Sequence, residues 1–247
     1  MSEPKCLDRP GGHHLAYVTH EGQGPGFVWL GGFKSDMEGG KALALDAWAR
    51  EENRPYVRFD YFAHGRSSGD WREGTISRYR EDALAVIDAL TEGPQVLVGS
   101  SMGAWIAILA ALARPERVKA LLLIAPAPDF TETLMWETFP LHVREAIETE
   151  GEWSQPSDYG EPYVLTRQLF EDGRKHLVME GEIGFDGPVR ILQGWRDADV
   201  PWTHAARLVE LFRSEDVQFR LKKAGDHRLS EPDDLERLIA TARELAG

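Results

Sequence analysis

The sequence predicts an α/β protein, with a mostly parallel central sheet of about eight strands and helices on both of its faces. Three observations carry that prediction. Short apolar, β-branched runs alternate with longer helical patterns along most of the chain. One run, Ala120-Leu121-Leu122-Leu123-Ile124, is apolar throughout, as a strand covered on both faces should be. The stretch from Val96 to Ala107 passes from a β-branched run through Gly99-Ser100-Ser101-Met102-Gly103 into an alanine-rich helical run.

Taken in order, His14 to His20 alternates and reads as an early strand. Phe27 to Leu30 is a second strand, running into Gly31-Gly32-Phe33. Lys41 to Glu52 carries Leu45, Trp48 and Ala49 at helical spacing. Tyr56 to Phe59 is a strand that ends in a Gly/Ser-rich loop, Asp60 to Gly69. Ile76 to Leu90 places Tyr79, Ala83, Val86, Ile87 and Leu90 on one helical face. Pro115 bounds the helix from Ala104 to Ala113. After Ile124 the segment Ala125-Pro126-Ala127-Pro128 breaks the pattern, and the β–α rhythm is lost until about residue 186. The expectation is a single domain over 1–247, with a helical lid inserted at 127–187. Its helices are expected at Thr131–Phe139, Leu141–Glu150 and Tyr163–His176. Val189 to Gln193 resumes the sheet, Thr203 can cap a helix from His204 to Phe212, and Val217–Leu221 and Pro232–Leu245 close the chain.

A chain of 247 residues can bury a large core in one such domain. Its net charge of −13 argues against nucleic acid and against charge-driven binding to anionic membranes. No apolar run is long enough to span a bilayer. The single cysteine, Cys6, permits no intrachain disulfide and fits a reducing compartment. The first twelve residues show neither a secretory nor an organelle leader, so a cytoplasmic protein is expected.

The chemistry centres on Gly99-Ser100-Ser101-Met102-Gly103, a match to G-x-S-x-G. A strand turning sharply into a helix leaves the middle hydroxyl exposed on the bend. Only Ser101 has glycine two positions before and two after. It also stands at a helix N-terminus, where free N–H groups favour developing negative charge. A serine hydroxyl needs a base, and the base needs an orienting acid. In α/β-hydrolases the chain order is Ser, then Asp or Glu, then His. His227 follows the last strand in Gly225-Asp226-His227-Arg228 and is the candidate base. His142 and His176 fall inside the insertion, His204 opens a helix, and His64 reads as structural. His13, His14 and His20 show no ligand spacing. Asp197 and Asp199 both leave the penultimate strand at its carboxyl end. Asp197 has the G-x-x-D-x-x-V-P spacing of the hydrolase pattern and is favoured as the acid. Backbone N–H groups of Phe33 and Met102 are the candidate oxyanion donors.

These residues resemble the serine α/β-hydrolase superfamily over nearly the whole chain. More closely, the sequence resembles the branch of mitochondrial acyl-protein thioesterases that also cleave acyl glucuronides, with their bacterial relatives. The resemblance is carried by Gly93 to Gly103, Ala113 to Val118, Gly151 to Ser157, Asp197 to Trp202 and Asp226-His227-Arg228. It implies a catalytic triad of Ser101, Asp197 and His227. The expected reaction is hydrolysis of a small-molecule ester or thioester, or of an acylated protein, through an acyl-enzyme. No cofactor or metal is required. An apolar acyl pocket is expected from Trp105 and Trp202, with the insertion's Trp136, Phe139, Trp153, Tyr159, Tyr163 and Phe170. The same triad also serves aminopeptidases and C–C hydrolases, and a hydrolase fold can act as a ligand-binding module without catalysis.

Overall fold

In the computed structural model, which describes residues 3–155 and 162–247, the main sheet opens with β1 (Lys5–Arg9), β2 (His13–His20), β3 (Gly26–Leu30) and β4 (Tyr56–Phe59). It continues through β5 (Gln95–Ser100) and β6 (Val118–Ile124). A separate ribbon of β7 (Glu152–Gln155) and β8 (Tyr163–Thr166) follows, and the main sheet ends with β9 (Val189–Gly194) and β10 (Val217–Lys222). The helices are α1 (Gly40–Glu51), α2 (Ile76–Leu90), α3 (Met102–Ala113), α4 (Leu141–Glu150), α5 (Arg167–Gly173), α6 (Trp202–Leu211) and α7 (Pro232–Ala246). Pro156, Ser157 and Tyr159 lie outside the described residues.

The spatial order of the main sheet is β1-β2-β4-β3-β5-β6-β9-β10. Pairing is parallel from β4 to β10 and antiparallel only where β2 meets β1 and β4. β5 and β6 lie at its centre, and their side chains alternate between two cores, as the period of a strand requires. Leu97, Leu121 and Leu123 face the core shared with α2, α3 and the insertion. Val96, Val98, Leu122 and Ile124 face the core under α1 and α7. Apart from the indole N–H of Trp105, α3 carries no polar side-chain group from Met102 to Ala113, as burial over nearly its whole length requires. β1 escapes the sequence pattern: it is a polar, mostly exposed edge strand held through its pairing to β2.

The insertion differs from the all-helical expectation. Thr131–Trp136 is a π-helix, closed by the Glu137 N–H donating to the Glu132 carbonyl at 2.9 Å. Residues 163–166 form a strand instead of a helix, pairing antiparallel with β7. The reason is local: the Thr166 hydroxyl accepts the Leu169 N–H at 3.3 Å and starts α5 only at Arg167. α6 likewise begins at Trp202 behind Pro201 with no side-chain cap, so Thr203 does not serve as one. Where the insertion leaves the sheet, Asp129 (φ 56°) turns its buried carboxylate onto the N–H groups of Val178 and Met179 at 2.8–3.0 Å. That bond ties the start of the excursion to its return. Burial pushes the Asp129 carboxyl up to about 6 despite those donors. Among the described residues no helix is long and apolar enough to cross a membrane.

Candidate active site

β5 delivers the chain to a sharp bend at Ser101, whose φ of 54° and ψ of −118° lie outside the regions an L-residue normally occupies. The bend is over-determined. The Ser101 N–H donates to the Ile124 carbonyl at 2.9 Å, and the Ser101 carbonyl accepts from Ala104 at 3.0 Å and Ala127 at 3.2 Å. The flanking glycines have a steric cause. A Cβ at Gly103 would collide with the Leu30 and Gly31 carbonyls, and one at Gly99 would collide with the backbone of Gly103 and Ala104.

Two further loops, both at carboxyl ends of strands, meet this bend. The loop after β10 brings His227 Nε2 to 3.1 Å from Ser101 Oγ. The loop after β9 brings Asp197 Oδ2 to 2.9 Å from His227 Nδ1. A carboxylate can only accept, so Nδ1 carries the proton and Nε2 is free to accept from the serine hydroxyl. The Asp197 side chain is fully buried, whereas His227 is about one quarter exposed, at 24%. Burial alone would raise the Asp197 carboxyl. The His227 bond and charge, the Val200 N–H and the Gln193 amide outweigh it, and the net shift is downward. Asp199 is exposed and contributes its N–H to Asp197 Oδ1 at 2.9 Å. Asp197, Asp199 and His227 offer ligand atoms within 4.8 Å of one another, but both Asp197 oxygens and His227 Nδ1 are already engaged in these bonds.

The serine and the imidazole open into a cleft of about 860 Å³. Gly32, Phe33 and Met102 line it beside Ser101, and a Cβ added at Gly32 would stand 3.4 Å from the Ser101 Cβ. Met102 is the first residue of α3, where N–H groups have no partner inside the helix. The far wall comes from Ala127, Phe130, Leu134, Met135 and Tyr163. None of Trp105, Trp136, Phe139 and Trp202 lines the cleft. Trp105 is wholly buried under the insertion, its indole N–H donating to the His176 carbonyl at 3.0 Å. Trp136 and Phe139 pack on Phe170, at 5.3 and 5.9 Å between ring centres. Trp202 stacks on Trp195 at 5.1 Å and 14°, on the outer side of the Asp197 loop. Of the aromatic residues expected from the insertion, Tyr163 reaches the cleft. Phe130, Leu134 and Met135 were not singled out by the sequence, because nothing local distinguishes a cleft-facing apolar residue from a core one.

The fold and the three converging loops are those of a hydrolase built on a parallel sheet. The chain belongs to the α/β-hydrolase family, whose model matches residues 25–243. It is 37% identical to the mitochondrial palmitoyl-protein thioesterase ABHD10 of Homo sapiens over 241 residues, covering 97% of this chain and 78% of that protein. The Bos taurus protein of the same name matches to the same extent. The solved structure of α/β-hydrolase domain-containing protein 10 from mouse superposes with a TM-score of 0.91 at 35% identity, over 99% of this chain and 98% of that one. A solved structure from Agrobacterium vitis S4 reaches a TM-score of 0.95 at 40% identity, over 99% of both chains. The chain is thus an enzyme of the hydrolase class. The cytoplasmic location expected from the sequence is corrected by the curated Homo sapiens and Bos taurus relatives, which are named as mitochondrial proteins. That expectation rests on the composition of residues 1–12 and on the single cysteine, both weak guides to compartment.

Proposed function

We propose that the protein hydrolyses carboxylic thioesters and esters through an acyl-enzyme formed on Ser101. His227 takes the serine proton as Oγ attacks the carbonyl carbon, and then gives it to the departing thiolate or alkoxide. Asp197 holds the ring with Nδ1 protonated and stabilises the imidazolium formed at that moment. The N–H groups of Phe33 and Met102 hold the oxyanion, an effect worth about 10²–10³ in rate per donor. Water, deprotonated by the same imidazole, releases the acid. Residues 127–187 act as a lid whose apolar residues Phe130, Leu134 and Met135 receive the acyl chain. The observation that supports this reading most is the continuous hydrogen-bonded run from Asp197 through His227 to Ser101, ending in a cleft with an apolar far wall. The names of the curated relatives favour a thioester, and an acylated protein is among the substrates we propose.

A fluorophosphonate probe tests the nucleophile directly. The folded protein should label to one equivalent on Ser101, and Ser101→Ala should neither label nor cleave p-nitrophenyl and CoA thioesters of increasing chain length. Hydrolysis that survives in Ser101→Ala would end the proposal.

A further inference from the structure

Behind the cleft, outside the mechanism above, lies a buried histidine with a defined pair of bonds. His64 is 3% exposed. Its Nδ1–H donates to the Phe62 carbonyl at 2.9 Å, which leaves Nε2 as an acceptor. Nε2 accepts the backbone N–H of Lys34 at 3.2 Å. Lys34 is the residue after Phe33 and holds a left-handed φ of 59°. The same loop is fixed once more at its far end. There the Met37 N–H donates to Asp60 Oδ1 at 2.7 Å, and Arg58 Nη1 donates to the Met37 carbonyl at 3.0 Å. Trp71, Tyr79 and Tyr61 surround the imidazole at 5.1–5.9 Å between ring centres, so the ring cannot turn without displacing them.

We propose that His64 is a positioning residue: through Nε2 it anchors the Lys34 N–H and thereby sets the direction of the Phe33 N–H. This rests on Phe33 serving as an oxyanion donor. The role demands the uncharged ring, since a protonated Nε2 would point its hydrogen at the Lys34 hydrogen. Burial, and then the Lys34 charge, lower the pKa of His64 and keep that form. A donor swung off its line by a few tenths of an ångström stabilises the transition state less while leaving ground-state binding alone.

The test compares wild type, His64→Asn and His64→Gln by kinetics and by hydrogen exchange of the Lys34 amide. Asparagine can still reach the Phe62 carbonyl but offers nothing to Lys34. Its Lys34 amide should exchange faster, and kcat should fall about tenfold, less than loss of a whole donor, with KM nearly unchanged. Glutamine places a carbonyl near the Nε2 position and should restore slow exchange and most of kcat. Wild-type kcat in His64→Asn, or equal loss in both variants, overturns the proposal. Should a variant fail to fold, the ring ¹⁵N spectrum of the wild type decides. A bare, hydrogen-bonded Nε2 supports the anchor, and a protonated Nε2 overturns it. If Ser101→Ala still hydrolyses, the nucleophile is wrong, while Lys34 exchange continues to judge the anchor separately.

Discussion

On the wall of the cleft built from the sheet's loops, hydrogen bonds converge on one buried carboxylate, Asp197, whereas the described insertion residues that form the other wall meet the cleft through apolar and aromatic side chains. The insertion's polar bonds, Asp129 to Val178 and Met179 and Asp172 to Ser77, lie outside the cleft lining. On the first wall Asp197 accepts from His227, Gln193, Asp199 and Val200, and each bond has one acceptable direction. On the second, Trp136 and Phe139 rest on Phe170, and Phe130 packs between Phe33 and Trp105 at 5.6 and 5.8 Å. Dispersion contacts are individually weak and tolerate small shifts. Directional bonds do not. The first wall is therefore suited to placing reacting atoms, and the second to accepting chains of differing shape.

The comparison breaks most visibly on the first wall. Asp197→Asn should lower kcat by about 10⁴, because the ring would be held in the wrong tautomer. Asp199→Asn should stay close to wild type, since only its backbone N–H is used. Steady-state kinetics on one ester decide between them, and the reverse ranking would move the acid to Asp199. On the second wall, Leu134→Ala should raise KM for long-chain thioesters about tenfold, in line with the loss of a few methylene contacts. Hydrolysis of an acetyl ester should be little affected. Equal loss on both substrates would mean that Leu134 supports the catalytic loops instead of the acyl chain.

The smallest effect belongs to the junction of the two walls, at Asp129. Its folded carboxyl titrates at about 6, above the ordinary carboxylate value of about 3.9. A group raised on folding binds more protons in the native state, so its contribution is full below about pH 4 and is lost as the pH rises through 6. The urea midpoint of the wild type, taken relative to Asp129→Asn, should decline across that window and level off above it. A flat difference would show that Asp129 titrates normally.

The first wall was legible because its signals are local. Gly99 is demanded by the backbone of Gly103 and Ala104 just beyond Ser101, Gly103 is demanded by the Leu30 and Gly31 carbonyls yet marks its place in the same five-residue pattern, and β5 and β6 carry their two-faced burial in their composition. The second wall was not. A helical pattern over 131–139 is correct in kind, but the π-helical winding rotates the residues away from a 3.6-residue count. Leu134 and Met135 then meet the cleft while Trp136 turns to Phe170. Tyr163 sits on a strand where a helix was expected, because the Thr166 cap delays α5. Trp202 was drawn into the expected pocket by its nearness to Asp197 in sequence, yet Pro201 turns α6 so that the indole meets Trp195 instead.

That indole pair has a use of its own. Trp195 is half exposed, and the two near-parallel rings bracket Asp197 in the chain. Rings this close and this aligned couple their electronic transitions, so the protein carries an intrinsic optical gauge on the loop that holds Asp197. The gauge stands clear of the cleft, where an inhibitor or a mutated serine would leave its chromophores untouched.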